Sequence, residues 1–296
     1  MIVESSRDLW WKKLAAHGFL IVFIAIIMFP FLVVVSISLR EGNFSTGSLL
    51  PDRPTLEHWY LALGQTFTRD DGTVVPPPYP VMLWMFNSIK VAVIASIGIV
   101  AISTISAYAF SRVKFRGRAG LLDTLFIVQL FPTTLALIAL YAIFDGLGDV
   151  TPLLGIDSHW SVIVVYLSWV TLHIWTLKGY FDSVDPALDR AAQIDGATPW
   201  QTLRYVFLPL AVPMIAVVFV LSFIGIINDY PIASVLLRAP ENLTIAVGSR
   251  FYLNEKLYLW GDFAAAAILS GLPITIVFLM AQRYLVSGLS DGGVKG

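Results

Sequence analysis

The polar segment between the fourth and fifth long apolar runs of the chain reads SVDPALDRAAQIDGATPWQTLRYVFLP (Ser183–Pro209). Asp185 can cap a helix whose first position is Pro186, where the missing N–H leaves no bond unmade. The residues that follow are good helix formers, and Gly196 can adopt the left-handed conformation that ends a helix. Thr198 then offers a second cap. The segment therefore predicts two helices joined by a sharp glycine turn.

The first of these helices, Ala187 to Asp195, has small residues on one face. The residues that share this face at helical spacing are Leu188, Ala191, Ala192 and Asp195. A narrow helix of this kind can lie in a groove of another protein. It can equally lie on a membrane surface as an amphipathic helix. The residues alone leave both interpretations open.

The composition indicates that lipid covers much of the protein. Apolar residues make up 57% of the chain and charged residues 13%, whereas a soluble domain carries about 25% charged residues. The chain has no cysteine, which excludes disulfides and thiolate metal sites. Its four histidines lie far apart and form no local metal-binding motif. Nothing in this composition points to nucleic acid.

Six apolar runs approach the roughly 20 residues that a spanning helix needs. They are Gly18–Leu39, Val91–Phe110, Leu121–Phe144, Trp160–Leu177, Val206–Ile227 and Phe263–Met280. Backbone N–H and C=O groups must be paired inside lipid, and the runs show no strand-like alternation. We therefore predict an all-α membrane protein of six transmembrane helices.

The short loops set the predicted orientation. The loop from Arg112 to Arg118 holds four basic residues and no acid, and the loop from Asp145 to Asp157 holds three acids and no Lys or Arg. Basic residues concentrate in short cytoplasmic loops. Both loops predict that the N-terminus and the C-terminus face the cytoplasm, and that the segment Ser183–Pro209 does so too.

The stretch from Asp189 to Gly196, followed by Leu208 and Pro209, resembles the "EAA" loop of bacterial binding-protein-dependent ABC importers. In that family the loop forms a coupling helix that docks on the ATPase subunit. The resemblance carries this coupling role onto Asp189, Arg190, Ala191, Ala192, Asp195, Gly196, Pro199 and Pro209. One residue departs from the family: its leading glutamate aligns with Arg190, so an ion pair made by that glutamate is not carried over.

Further stretches are similar to the maltose/maltodextrin permeases of that family. They are Asn87–Ala92, Ala107–Arg112, Gln129–Pro132, Gly261–Ala267 and Gly292–Gly296. The resemblance implies a type I ABC importer permease fold in the bacterial inner membrane. It further implies an N-terminal helix and first periplasmic loop over residues 1–80, a permease core over 81–283 and a cytoplasmic tail over 284–296.

The same resemblance implies a complex of several proteins. A second permease subunit pairs with this chain, two ATPase subunits lie beneath, and a periplasmic sugar-binding protein lies above. The chain contains no G-x-x-x-x-G-K-[ST] phosphate loop. We therefore expect a transport subunit, not an enzyme, with no cofactor of its own, and with ATP and Mg²⁺ bound by the ATPase subunits.

A second candidate contact is the aromatic loop from Arg250 to Tyr258, which has a polar tip. By resemblance it reaches into the opened binding protein and helps to expel sugar. The residues assigned to this contact are Tyr252, Leu253, Asn254 and Glu255. The alternative is an interfacial loop that rests on lipid headgroups.

The resemblance implies import of maltose and maltodextrins, and three other functions are alternatives to it. The nearest is an importer of the same class for another oligosaccharide or a polyol. An intramembrane enzyme would need a catalytic pair in the spans, such as Ser with Lys or two Asp, and none stands at helical spacing. A signalling membrane protein without flux would not co-purify with an ATPase subunit.

The predicted orientation can be tested with a single thiol, because the natural chain has none. We expect Ala191→Cys to react with a membrane-impermeant maleimide in inside-out vesicles and to stay unlabelled in intact spheroplasts. The readout is the mass shift of the chain on a gel. Labelling from the periplasmic side alone would contradict the topology and the coupling role together.

Overall fold

The chain is mostly helical in a computed structural model that describes residues 6–44, 48–254 and 257–290. Within these ranges, five helices are long and apolar enough to cross a membrane, and a bent pair of helices makes a sixth candidate. In chain order the helices are α1 (Ser6–Ser38), α2 (Glu57–Ala62), α3 (Val81–Arg112), α4 (Arg118–Gln129), α5 (Thr133–Val150), α6 (His159–Tyr166), α7 (Val170–Ser183), α8 (Ala187–Ile194), α9 (Pro199–Thr202), α10 (Leu208–Leu210), α11 (Val212–Asn228), α12 (Pro231–Leu236), α13 (Ile245–Gly248) and α14 (Trp260–Ser290). The prediction of an all-α membrane protein is confirmed.

Short antiparallel hairpins complete the described structure. Strand β1 (Phe67–Thr68) pairs with β2 (Val74–Val75), and β3 (Leu253–Asn254) pairs with β4 (Leu257–Tyr258).

The chain divides into two compact units. The first holds the residues up to Pro80 together with Ser249–Leu269, and the second holds Val81–Gly248 and the residues from Ser270 onward. The division into 1–80, 81–283 and 284–296 stays a prediction. Helix α14 continues to Ser290, and residues 291–296 lie outside the described ranges.

The second unit is organised around α3, which packs against α6, α7 and α11. Small residues on α3, among them Ala92, Ala95 and Ser96, are fully buried. Small side chains allow helix backbones in a membrane to approach closely. The helix begins ten residues before the predicted Val91, and one side of its first turns is buried: Trp84 lies in the core, and its Nε1 donates to the Pro240 carbonyl at 2.7 Å.

Unlike α3, helix α1 is exposed along its apolar stretch, almost none of which is buried within the chain. Large apolar residues along it are half or more exposed, for example Phe19, Ile21 and Ile26. A helix that is apolar all round is stable only when lipid or another protein covers it. Helix α1 therefore faces lipid or a further subunit along most of its length.

The predicted continuous span Leu121–Phe144 is wrong. Helix α4 ends at Gln129, and a new helix, α5, begins at Thr133 after Pro132, whose backbone is extended. Proline has no N–H to continue the preceding helix, and its ring clashes with the previous turn. Since α5 continues to Val150, the predicted loop from Asp145 is helical in its first part.

The predicted span Val206–Ile227 corresponds to a bent pair of helices. Helices α9 and α10, with a π-helical turn at Leu203–Phe207 between them, meet α11 at an angle of 78°. Two prolines, Pro209 and Pro213, flank the bend at Ala211. Each removes a backbone donor, so the helix cannot run straight through this region.

The fourth and sixth spans are longer than predicted. The fourth runs from His159 to Ser183 through α6, a 3₁₀ turn and α7, and the sixth runs from Trp260 to Tyr284 within α14. Both predicted ranges lie inside the observed ones. The extra turns are polar or aromatic, and an apolarity window does not count them.

A buried histidine joins distant parts of the first unit. His58 Nδ1 lies 2.6 Å from Asp262 Oδ1 in the first turn of α14, and His58 Nε2 lies 3.0 Å from the Gly42 carbonyl. Both acceptors need a proton from the ring, so His58 is the imidazolium cation. Asn43 Oδ1 meanwhile accepts from the backbone N–H groups of Gly261 and Asp262. These contacts satisfy N–H groups that the start of a helix leaves open.

Gly261 is required at this junction by space. A Cβ at residue 261 would lie 2.1 Å from His58 Nε2, a distance at which the imidazole would have to move. Nearby, Glu57 holds Arg69 at 2.5 Å and so ties α2 to the segment of the first hairpin. The carboxylate of Glu57 adds negative potential around His58.

The charge on His58 predicts how stability depends on pH. Burial disfavours the cation, but the hydrogen bond and charge of Asp262, with the Gly42 carbonyl and Glu57, outweigh it and raise the pKa of His58 above 6.5. A group whose pKa is higher in the folded than in the unfolded chain stabilises the folded state. This stabilisation is fully present below the unfolded pKa and is lost as pH rises through the folded pKa. We therefore expect the melting temperature of the purified chain to be highest below about pH 6.5 and to fall as pH rises above it.

The matched variant is His58→Gln, which retains hydrogen-bonding capacity and does not titrate. Its melting temperature is expected to be lower and to lose this part of the pH dependence. Equal pH profiles for the natural chain and the variant would contradict the assignment of a charged His58.

Candidate functional site

The two predicted helices of the Ser183–Pro209 segment are both present. The first, α8, runs from Ala187 to Ile194, and Asp185 Oδ1 accepts a hydrogen bond from the Ala187 N–H at 2.7 Å. That bond satisfies one of the free N–H groups at the start of the helix. Asp185 therefore caps α8, as the sequence predicted.

The turn after α8 has the predicted glycine conformation. Gly196 has φ +75°, in the left-handed region that other residues rarely adopt. Thr198 and Gln201 then form a capping box: Thr198 Oγ1 accepts from the Gln201 N–H, and Gln201 Oε1 accepts from the Thr198 N–H. With Pro199 at its first position, α9 therefore starts in a fixed direction relative to α8.

The exposed face of α8 differs from the predicted one. Ala192 is only 7% exposed and lies against the rest of the chain, whereas Ile194 is 87% exposed. Leu188, Ala191 and Asp195 are exposed as expected. Ala192 was assigned to the same outward face, and that is wrong because Asp189, three residues before it, turns this side of the helix inward.

The reason for the inward turn is an ion pair that the sequence did not indicate. Arg112 Nη1 lies 2.9 Å from Asp189 Oδ2, and the two side chains are only 12% and 16% exposed. Arg112 Nη2 also donates to the carbonyls of Phe181, at 2.5 Å, and Val184, at 2.6 Å. Arg112 entered the sequence argument as a basic loop residue and as the end of the family-like stretch Ala107–Arg112, without a partner. No local signal pairs it with a carboxylate 77 positions away.

Arg190 points away from this pair. It is exposed, as the spacing of about 100° per residue on a helix dictates for the neighbour of an inward residue. The outer face of α8 therefore presents a cation at the position of the family's glutamate, together with small and apolar side chains. The carboxylate of Asp189 is engaged within the chain.

Pro209 lies in α10, just before the bend into α11, and is exposed. Tyr180 Oη donates to the Leu210 carbonyl at 2.6 Å and joins α7 to this bend. The segment from α8 to α10 is thus attached at both of its ends to helices of the second unit.

The second predicted contact, the aromatic loop, lies in the first unit. Tyr252 is 1% exposed and packs edge-on against Tyr79 at 4.9 Å between ring centres. Burial, with the charge of Asp262 nearby, raises the pKa of Tyr252 well above its ordinary value. Its side chain is therefore part of the core, although it was assigned to a contact with another protein.

The remaining residues of that loop form the β3–β4 hairpin. Leu253 pairs with Tyr258 and Asn254 pairs with Leu257. Glu255 lies outside the described residues. The tip of this hairpin stays a predicted contact. No group of three or more potential metal ligands occurs in the part of the chain that the structure describes.

Comparisons with known proteins agree with this architecture. The family profile of the binding-protein-dependent transport system inner membrane component matches residues 99–291. A bacterial ABC transporter involved in the import of the acidic polysaccharide alginate has a similar fold. Its TM-score is 0.70 at 22% identity, over 96% of this chain and 99% of that one.

Much closer relatives carry the name maltose/maltodextrin transport system permease protein MalG. The protein from Photorhabdus laumondii is 58% identical over the whole of both chains. The one from Yersinia pestis is 57% identical over all of this chain and 97% of its own, and the one from Escherichia coli is 58% identical over 95% of each.

These matches confirm the transport interpretation. Proteins of this kind are inner-membrane components that work with other subunits, so the chain is a multi-pass membrane subunit of a transporter and not an enzyme. Its apolar helices agree with that location. The chain belongs to the family of binding-protein-dependent transport system inner membrane components, and within it to the MalG branch.

Proposed function

We propose that the chain is a transmembrane permease subunit of an ATP-driven ABC importer that moves maltose and maltodextrins from a periplasmic binding protein into the cytoplasm. The observation that carries the proposal is identity of 55–58% over essentially the full length to relatives with the printed name MalG. Because the match leaves out no segment of the chain, the spans, the coupling segment and the hairpin loop are all included.

The partners of this unit are a MalF-like second permease subunit, two MalK-like ATPase subunits and a MalE-like sugar-binding protein. The exposed apolar length of α1 is a surface on which such a second membrane subunit can pack in place of lipid. ATP and Mg²⁺ bind to the ATPase subunits, since this chain lacks a phosphate-binding loop. This chain converts their motion into opening and closing of the spans.

Helix α8 is the contact with the ATPase. Its outer face combines small side chains with Leu188, Ile194 and the cation of Arg190. A helix with this face fits a groove of another protein. Since Arg190 replaces the family's glutamate, the groove that receives it carries a carboxylate or a neutral acceptor opposite that position.

The mechanism has two states of the pathway. ATP closes the ATPase pair, and α8 carries this motion into the spans through its attachments to α7 and α10. The pathway then opens outward and receives sugar, while the hairpin tip at Asn254 and Glu255 contacts the opened binding protein. Hydrolysis returns the pathway to the inward state. Coupling of this kind requires two distant sites that bias one conformational equilibrium.

The substrate is tested by reconstituting the complete complex in liposomes with the binding protein outside and ATP inside. We expect ATP-dependent uptake of labelled maltose and maltotriose, with no uptake when ATP or the binding protein is omitted. A panel of other oligosaccharides and polyols is measured in parallel. Uptake of one of those sugars without uptake of maltose would replace the substrate and keep the importer class.

The coupling contact is tested at the glycine turn. We expect Gly196→Ala to reduce the amount of ATPase subunit that co-purifies with the chain, because a side chain at φ +75° costs roughly 1–2 kcal/mol and tilts α8. Gly179→Ala is a matched control in α7. A Cβ meets no atom within 4 Å at residue 179 or at residue 196, and of these two glycines only Gly196 has a positive φ. Equal co-purification of both variants would contradict the docking role of α8.

A further inference from the structure

The side chain of Arg112 joins its own helix to three other structural elements at one point. The residue ends α3. Its guanidinium binds Asp189 in α8, the carbonyl of Phe181 in the last turn of α7 and the carbonyl of Val184 just after that helix, and it lies 4.9 Å from the ring of Phe207 in the π-helical turn. These elements belong to spans two, four and five and to the coupling helix. Within the described residues, Arg112 therefore joins α8 directly to the ends of three spans.

The contacts suit an arginine and no other side chain. The carbonyls of Phe181 and Val184 lie where α7 ends, and a helix end leaves its last carbonyls without partners. A planar guanidinium can bind carbonyls on one edge and a carboxylate on the other, whereas a lysine ammonium is a single point charge. Asp189 lies in the first turn of α8, where the helix dipole favours negative charge.

Aromatic rings form a firm base beneath the guanidinium. The ring centres of Tyr108 and Phe207 are 5.4 Å apart, those of Phe181 and Phe207 are 5.6 Å apart, and those of Tyr108 and Phe181 are 6.3 Å apart. The contacts are edge-to-face, a favourable arrangement for aromatic rings. One ring comes from each of spans two, four and five, so a force on Arg112 reaches all three.

The surroundings also give the ion pair room to rearrange. A cavity of about 430 Å³ lies beside it, with the polar side chains of Ser111, Lys114 and Gln193 in its lining. Arg112 Nε is buried without a hydrogen-bond partner among the described residues. A buried donor without a partner is unfavourable. A guanidinium that is displaced into the cavity can therefore gain a hydrogen bond from Nε that it lacks in this arrangement.

We propose that Arg112 is a positioning residue for transport, which transmits displacement of the coupling helix to spans two, four and five through its ion pair with Asp189. This inference rests on the proposed function. That function requires coupling between the ATPase subunits and the spans, and the inference names the residues through which the coupling passes. Arg112 touches neither sugar nor nucleotide. Loss of the ion pair separates ATP hydrolysis from opening of the pathway, while α8 can still dock.

The test measures sugar taken up per ATP hydrolysed by the complete complex in liposomes. Asp189→Asn keeps the size of the side chain and removes its charge. We expect this ratio to fall about tenfold, within the usual range of coupling between sites, while ATP hydrolysis and subunit stoichiometry stay as in the natural complex. Asp189→Glu retains the carboxylate and is expected to restore most of the ratio.

Asp182→Asn is the matched control. Asp182 also pairs with a cation, Lys178 at 2.5 Å, and accepts from Ser111 Oγ in α3 at 2.6 Å, but its side chain is 42% exposed and neither contact reaches α8. We expect the control to leave the ratio unchanged. If Asp189→Asn fails to assemble, Arg112→Lys is measured in its place; it keeps the charge, loses the planar fork and should lower the ratio.

The outcomes separate this inference from the proposed function. An unchanged ratio in Asp189→Asn, or an equal fall in uptake and ATP hydrolysis, would mean that the ion pair is structural and would overturn the role of Arg112. A natural complex that hydrolyses ATP and takes up no sugar would overturn the proposed function itself, and the inference with it.

Discussion

The ends of the spanning helices need contacts from other segments, because helix ends leave backbone groups that lipid cannot satisfy. Inside a span, each N–H finds a carbonyl one turn away and no other segment is needed. At the ends, distant side chains take over. Arg112 binds the carbonyls of Phe181 and Val184 at the end of α7, and Asn43 accepts from the first N–H groups of α14. Polar contacts between distant parts of the chain therefore form at these ends, and they add to the apolar packing along the spans.

Two adjacent charged side chains of α8 point to opposite sides of the helix. Asp189 turns inward to Arg112, and Arg190 turns outward. A helix rotates by about 100° per residue, so adjacent residues cannot share one environment. One carboxylate therefore holds the coupling helix to its own chain, and the adjacent position stays available to a partner. This separation explains how the outward residue can change its charge while α8 keeps its place.

A helical protein with five or six candidate spans could be predicted because length and apolarity are properties of single segments. The glycine turn was predictable for the same reason: Gly196 and the capping box of Thr198 act within a few residues. The pairing of Arg112 with Asp189 was not, since it depends on how separate helices pack. Local reasoning also placed Ala192 on the outer face, because an alanine carries no sign of which side it covers.

Prolines in the spans show the limit of local reasoning more clearly. The predicted span Leu121–Phe144 ran through Pro132, yet one helix ends before this proline and another begins after it. The effect of a proline on its own residue is fixed by its ring. How far the chain turns depends on what packs on either side. At Pro209 and Pro213 the same chemistry gives a bend of 78°.

A helix of eight residues has little stability by itself, because nucleation is unfavourable and few bonds follow. The position of α8 is therefore set by its attachments: Asp185 and Arg112 at its start, and the Gly196 turn with the capped α9 at its end. A segment held this way moves as a unit when a partner displaces it, since its ends cannot slide independently. Because α8 is too short to be stable alone, its position depends on these attachments. Its motion is therefore coupled to that of the helices to which it is joined.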